Sequence, residues 1–219
     1  MSKSPLIHFK GALFHITARG NDKRKIFLDD PRDFSRYTLN IEKCQKKFPF
    51  NLHAFVLMPN HLHLLIEVKK HSIDKIMQVL QTGYTMYFNR KYNHVGHLFQ
   101  GRYKSFLVDK ESYLLELVRY IHLNPVRAHI VENPNDYFWS SNGAYFDSQH
   151  DFNRIIDKSF ILAHFSDHPQ NQKKAYKEFI LSGIGNKWNE IFPIPAWGQI
   201  IGKEKFIHSL ERKLKNNLI

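Results

Sequence analysis

The chain of 219 residues has one cysteine, Cys44, so no disulfide can form within it, and without a CxxC pair a cysteine-rich zinc knuckle is excluded as well. There is no run of 18 apolar residues and no N-terminal apolar segment of the kind a secretion signal carries. The expectation is a cytoplasmic protein with no membrane partner. Nothing reads as a P-loop, so no nucleotide cofactor is expected, and there is no internal repeat or low-complexity tract. Acidic residues are scarce: 20 Asp and Glu stand against 32 Lys and Arg, a formal charge of +12. A surface of that sign attracts polyanions.

Aromatic residues, in contrast, are plentiful, with 18 Phe, 10 Tyr and 3 Trp besides 14 His. Positive charge interleaved with rings suits single-stranded nucleic acid, in which cations follow phosphates while rings stack on bases at about 1–3 kcal/mol each. The candidate contacts are Lys23, Arg24 and Lys25 in one basic loop, and Phe99, Arg102 and Lys104 around a turn bracketed by Gly96 and Gly101. Arg119 and Arg127 join them further along the chain. Residues 89–92 form a further, weaker basic segment.

The stretch Met58-Pro59-Asn60-His61-Leu62-His63-Leu64-Leu65-Ile66-Glu67 reads as a turn followed by a strand. Side chains alternate along a strand, so His61 and His63 point the same way, about 6.6 Å apart along the chain, while Leu62, Leu64 and Ile66 face a core. Two imidazoles on one face can share a metal ion, although such a pair also decorates many solvated strands. Sixty residues on, the segment from Tyr113 to Asn124 has helical apolar spacing and stops at Pro125. Tyr120 and Asn124 are four apart and lie on one helix face. A histidine pair with an amide oxygen can hold a divalent cation, and a phenol nearby can attack a phosphate that the cation polarises. A free phenol titrates near pH 10, so making one fully available at pH 7 takes about 4 kcal/mol of phenolate stabilisation. The same tyrosine could instead be a core aromatic.

Several segments, in order, are those of a known family. Phe14 to Asp30, Phe55 to Glu67, Gly96 to Asp109, Tyr113 to Ala128 and the trailing Trp139 to Tyr145 together resemble the single-tyrosine HUH transposases, closest to the REP-associated tyrosine transposase branch. The resemblance implies a metal-dependent endonuclease and strand transferase acting on single-stranded DNA with hairpin repeats. It implies His61 and His63 as metal ligands, Asn124 as a third, and Tyr120 as a nucleophile that becomes joined to a 5′-phosphate while a 3′-hydroxyl is released. Two imidazoles with an amide and phosphate oxygens suit Mg²⁺ or Mn²⁺. A catalytic zinc hydrolase would leave Tyr120 without a role.

Strand and helix signals predict an α+β fold. Leu13 to Arg19 reads as a strand, and Asp29-Asp30-Pro31 opens a helix to about Lys47. Phe50 to Leu57 and His61 to Val68 read as a hairpin, Ser72 or Asp74 caps a helix to Tyr92, and Tyr103 to Val108 is a last strand before the tyrosine helix. The order βαββαβα predicts a ferredoxin-like, RRM-like antiparallel sheet with helices on one face, the histidine strand central and its outer face open to the tyrosine helix. Residues 1–146 are expected to form the catalytic domain and 147–219 a mainly helical extension, with a break at Pro193 to Gly198 and a basic helix from Lys203 to Leu218. That extension could bind a hairpin stem or simply stabilise the core. Two other readings share these features: a non-catalytic DNA- or RNA-binding regulator on the same fold, and an HUH replication initiator or relaxase. A monomer or a homodimer is compatible with the sequence.

Overall fold

A computed structural model of the chain describes residues 8–186 and 200–215. The first strand, β1, is Leu13–Arg19, and α1, Pro31–Lys47, begins where the Asp30 side chain accepts a hydrogen bond from the Arg32 N–H, with Pro31 fixing the first helical φ. Strands β2, Phe50–Met58, and β3, His61–Val68, form the hairpin. The helix α2, Ile73–Tyr92, is capped by Ser72 and closed by Asn93 in the left-handed conformation, φ 48°. Strand β4, Lys104–Val108, leads into α3, Lys110–His122, which is capped by Asp109. A short turn α4, Asn124–Arg127, then α5, Ser159–Leu162, α6, Pro169–Leu181, β5, Ile200–Ile201, and α7, Glu204–Lys215, complete the described elements.

The sheet has the order β2-β3-β1-β4-β5, with β1, β2, β3 and β4 antiparallel and β5 parallel to β4. This is the ferredoxin-like arrangement, and the histidine strand β3 lies inside it, between β2 and β1. The two faces differ in chemistry. Phe14 and Ile16 of β1, Leu62, Leu64 and Ile66 of β3, and Phe55 and Leu57 of β2 are completely buried, in one cluster with Tyr37 and Ile41 of α1 and Ile76, Met77, Leu80 and Tyr84 of α2. Burying a side chain of this size is worth about 1.5–3 kcal/mol. The opposite face carries the histidines and is crossed by α3, which packs on β2 and β3. The sheet thus has α1 and α2 on its apolar side and the tyrosine helix on the other.

The segment from Trp139 to Tyr145 holds these layers together. Trp139 stacks on Phe34 of α1, with ring centroids 4.7 Å apart, and Ser140 bridges Val56 at the outer edge of β2. The Ser141 hydroxyl accepts from the Phe55 N–H at 2.9 Å, and the Tyr145 hydroxyl donates to the His53 carbonyl at 2.7 Å. The edge of β2 is thereby covered by irregular chain instead of being left open to pairing. Beyond residue 146, Phe152, Ile155, Ile161, Tyr176 and Ile180 enter the same hydrophobic cluster as the sheet. The strand β5 has no counterpart in the sequence reading, and the expected break at Pro193 to Gly198 lies outside the described residues. The basic terminal helix is present as α7. Among the described residues no helix is long and apolar enough to cross a membrane.

Candidate active site

The strand register assembles the site in rows. His63 pairs with Thr17 of β1 on one side and Val56 of β2 on the other, and Thr17 pairs in turn with Lys104 of β4. The next row is Met58, His61 and Arg19. Directly paired residues of antiparallel strands point to the same face, so His61, His63, Thr17, Arg19 and Lys104 share one surface. His15, two residues before Thr17 on β1, shares it too.

Each histidine of the pair has one ring nitrogen engaged. His61 Nδ1 lies 2.7 Å from Asn60 Oδ1, and His63 Nδ1 lies 2.9 Å from His15 Nε2. Nε2 of both is left without a partner among the described residues. The two rings stand nearly perpendicular, at 84°, with centroids 5.2 Å apart. Burial pushes His15 down to about 4, burial and the nearby charge of Arg19 push His61 to about 4, and burial, with the neighbouring His15 and His61 rings and Arg127, holds His63 well below 6.5. All three are therefore neutral at pH 7, the state in which an imidazole binds a metal.

Tyr120 sits in the last turn of α3, which ends at Leu123 before α4 restarts the helix. Its half-buried ring meets His63 edge-on at 5.6 Å and His15 at 6.0 Å, and the Arg127 guanidinium lies 4.9 Å from its centroid. Asn124 is buried, and its Nδ2 donates to the Tyr120 carbonyl at 2.9 Å. With the amide nitrogen so engaged, Oδ1 is the Asn124 atom that remains to face a cation. Two residues before Asn124, His122 points into the core, where Nδ1 meets the Tyr176 hydroxyl at 2.5 Å and Nε2 the Ser141 hydroxyl at 2.7 Å. That buried contact fastens α3 to α6 and to the Trp139–Tyr145 segment.

The donor set fits a hard or borderline cation bound with substrate. Among the described residues no three His, Cys, Asp or Glu side chains converge as a metal cluster, so a closed structural zinc centre has no ligands here. The face offers two neutral imidazoles, and Asn124, held to the Tyr120 carbonyl, carries an amide oxygen at the end of the tyrosine helix; such a mixed nitrogen and oxygen set would suit Mg²⁺ or Mn²⁺ with phosphate oxygens completing the shell.

Comparison with known sequences identifies the family. The sequence model of the family described as transposase IS200-like matches residues 8–124, a span that includes β1, both histidines and the tyrosine helix. The chain belongs to the IS200-like transposase family. It is 26% identical over 144 residues, covering 60% of this chain and 80% of the relative, to a provisionally named REP-associated tyrosine transposase of Haemophilus influenzae. A solved structure of a REP-associated tyrosine transposase bound to a REP hairpin is similar in fold, with a TM-score of 0.59 at 18% identity, over 73% of this chain and 94% of that one.

On this IS200-like framework the expected DNA-contact residues separate into groups. Lys104 is exposed on the histidine face, two strands from His63, a spacing of about 10 Å. Arg127 lies over the Tyr120 ring. Lys23, Arg24 and Lys25 are exposed in the loop after β1, with Arg24 bonded to His94 at 3.3 Å and Lys25 paired with Asp29 at 2.6 Å. Arg102 is half exposed and paired with Asp74. Two assignments are corrected. Phe99 is 7% exposed and packs in the hydrophobic cluster, because its backbone bridges Gly20 and draws the ring inward, so it presents no face for a base. Arg119 points between helices, binding Glu116 at 2.6 Å and lying 4.2 Å over the Phe179 ring, where it joins α3 to α6. Sequence reading missed His15, whose only local signal was its phase on β1 with Thr17, and Arg19, which is exposed beside His61 in the same row.

Proposed function

We propose that this protein cuts and rejoins single-stranded DNA at hairpin repeats of the REP type through a covalent tyrosine intermediate. The observation that carries the reading is the placement of the Tyr120 ring 5.6 Å from His63, over a histidine pair whose Nδ1 atoms are both engaged. The Tyr120 oxygen forms a bond to the scissile phosphorus, the P–O3′ bond breaks, and the proton lost by the phenol is balanced by the one gained at the 3′-hydroxyl. One phosphodiester replaces another, so rejoining by the reverse step needs no nucleotide cofactor. His61, His63 and Asn124 would hold Mg²⁺ or Mn²⁺, which when bound neutralises phosphate charge and favours the phenolate. Arg127, across the Tyr120 ring, supplies a second positive charge where the phenolate develops. Arg19 on β1 and Lys104 on β4 lie to one side of the pair and fit successive phosphates of a strand crossing the sheet.

Tyr120 and His63 meet within one chain, which supports a site completed without a partner's tyrosine helix, in a monomer or in each half of a homodimer. Incubation with labelled single-stranded hairpin DNA and Mn²⁺, followed by denaturing electrophoresis and peptide mapping, tests the reading. The expected product is an adduct on Tyr120 that needs the cation. Tyr120→Phe retains hairpin affinity and forms no adduct; an undiminished adduct in that variant removes Tyr120 as nucleophile. Tight binding without cleavage would favour the regulator that shares this fold.

A further inference from the structure

The turn between β2 and β3 is docked onto the basic loop. The Pro59 carbonyl accepts from the N–H groups of Ile26 at 2.7 Å and Phe27 at 3.0 Å, and the Asn60 carbonyl accepts from Gly20 N–H at 2.9 Å. The loop is tightly closed on itself: Lys23 N–H reaches the Gly20 carbonyl at 3.1 Å and Arg24 N–H the Asn21 carbonyl at 3.0 Å. A Cβ at Gly20 would collide with the Arg24 carbonyl, so only glycine admits this approach. The Asn60 side chain then joins loop and site. Its Nδ2 donates to the Lys23 carbonyl at 3.1 Å, and its Oδ1 meets His61 Nδ1 at 2.7 Å.

Counting protons assigns both bonds. A backbone carbonyl only accepts, so the amide nitrogen must face Lys23, and the amide oxygen then faces His61. That oxygen also only accepts, so His61 Nδ1 carries the ring proton. A neutral imidazole has one N–H, which leaves the lone pair on Nε2, away from Asn60.

We propose that Asn60 is a positioning residue that holds His61 as the Nδ1–H tautomer, with Nε2 available to a divalent cation, and ties that orientation to the shape of the basic loop at Lys23. The proposal rests on the metal site proposed above. It makes the two events interdependent: a DNA phosphate that reorders the loop around Lys23 acts on the amide that orients His61. By linkage, cation binding then changes DNA affinity by the same factor as DNA changes cation affinity.

The test uses the full chain with Mn²⁺ alone as calorimetric probe, long-range ¹H–¹⁵N NMR of the histidine rings in metal-free protein, and two variants. Wild type is expected to show His61 as the Nδ1–H tautomer and to bind Mn²⁺. Asn60→Leu removes both bonds, so the tautomers mix and Mn²⁺ affinity falls about tenfold or more. Asn60→Asp still accepts from His61 but cannot donate to the Lys23 carbonyl. It is expected to keep the tautomer and bind Mn²⁺ at least as tightly as wild type, while amide hydrogen exchange across residues 20–25 accelerates. A folded Asn60→Leu variant with the wild-type tautomer and Mn²⁺ affinity overturns the proposal and leaves the metal site standing. Unchanged loop exchange in Asn60→Asp overturns the link to Lys23. Failure of wild type itself to bind Mn²⁺ overturns the metal reading and the proposal with it.

Discussion

Two pairs of histidines flank the same sheet and are treated differently by the fold. His53, in the β-bulge of β2, and His122, on α3, are completely buried with both ring nitrogens engaged: His53 by the Asp157 carbonyl and Glu67, His122 by Tyr176 and Ser141. His61 and His63 each have Nδ1 held and Nε2 without a partner among the described residues. Burial alone does not separate the pairs, since it pushes His122 to about 3 and His61 to about 4. What separates the two pairs is the ring nitrogen that the second leaves without a partner among the described residues, the atom that would face a cation in the proposed reading. The closed pair fastens the C-terminal segments to the sheet, and the open pair faces the tyrosine.

The contrast is broken most sharply by paired substitutions. His61→Ala is expected to lower Mn²⁺-dependent cleavage at least a thousandfold, about 4 kcal/mol of transition-state stabilisation, and to shift the urea midpoint little. His122→Phe should do the reverse: it strands the buried Tyr176 hydroxyl and removes one of the bonds of Ser141, which keeps those to Phe55, at a cost of about 2 kcal/mol in urea unfolding, while the folded fraction still cleaves. If His61→Ala unfolds the protein and His122→Phe does not, the distinction between the pairs fails.

Acid sharpens the same comparison. The folded chain holds His122 near 3 against an ordinary 6.5, so between those values the unfolded chain binds a proton that the folded chain does not. Its contribution is complete above pH 6.5 and is lost as pH falls toward 3. Stability measured in urea should drop by roughly 2 kcal/mol between pH 7 and 5 from this residue, and His122→Phe should make that limb shallower by this share, the remainder coming from His15, His61 and His63. A pH-independent wild type would contradict the buried neutral state.

The smallest effects concern cations. Lys104→Ala is expected to weaken single-stranded DNA binding severalfold and to reduce the slope of log K against log[salt] by about 0.7. Arg119→Ala, buried against Phe179, should leave that slope unchanged and destabilise the α3–α6 contact by about 1 kcal/mol. Equal salt slopes in the two variants would erase the distinction between site and scaffold arginines and lysines.

Most of the scaffold was legible in the sequence. Leu13–Arg19, Pro31–Lys47 and His61–Val68 occur where alternation, the Asp-Pro cap and the Met-Pro-Asn turn place them. The start of α3 was missed by three residues, because Asp109 caps a first turn, Lys110-Glu111-Ser112, that carries no apolar periodicity. The strand β5 escaped notice because two residues pair with β4 from far along the chain, with no turn signal between them.

By itself the sequence determined the elements, the shared face of His61 and His63, and the nearness of Tyr120 to Asn124, although Asn124 begins α4 instead of continuing the tyrosine helix. These depend on contacts within a few residues, through strand alternation, helical periodicity and capping. Only the tertiary structure decided that His15 supports His63, that Asn60 connects His61 to Lys23, that Phe99 turns inward and that Arg119 serves packing. Which atom a ring or guanidinium meets is set by residues brought close through sheet register and helix docking, and local pattern carries no record of that partner.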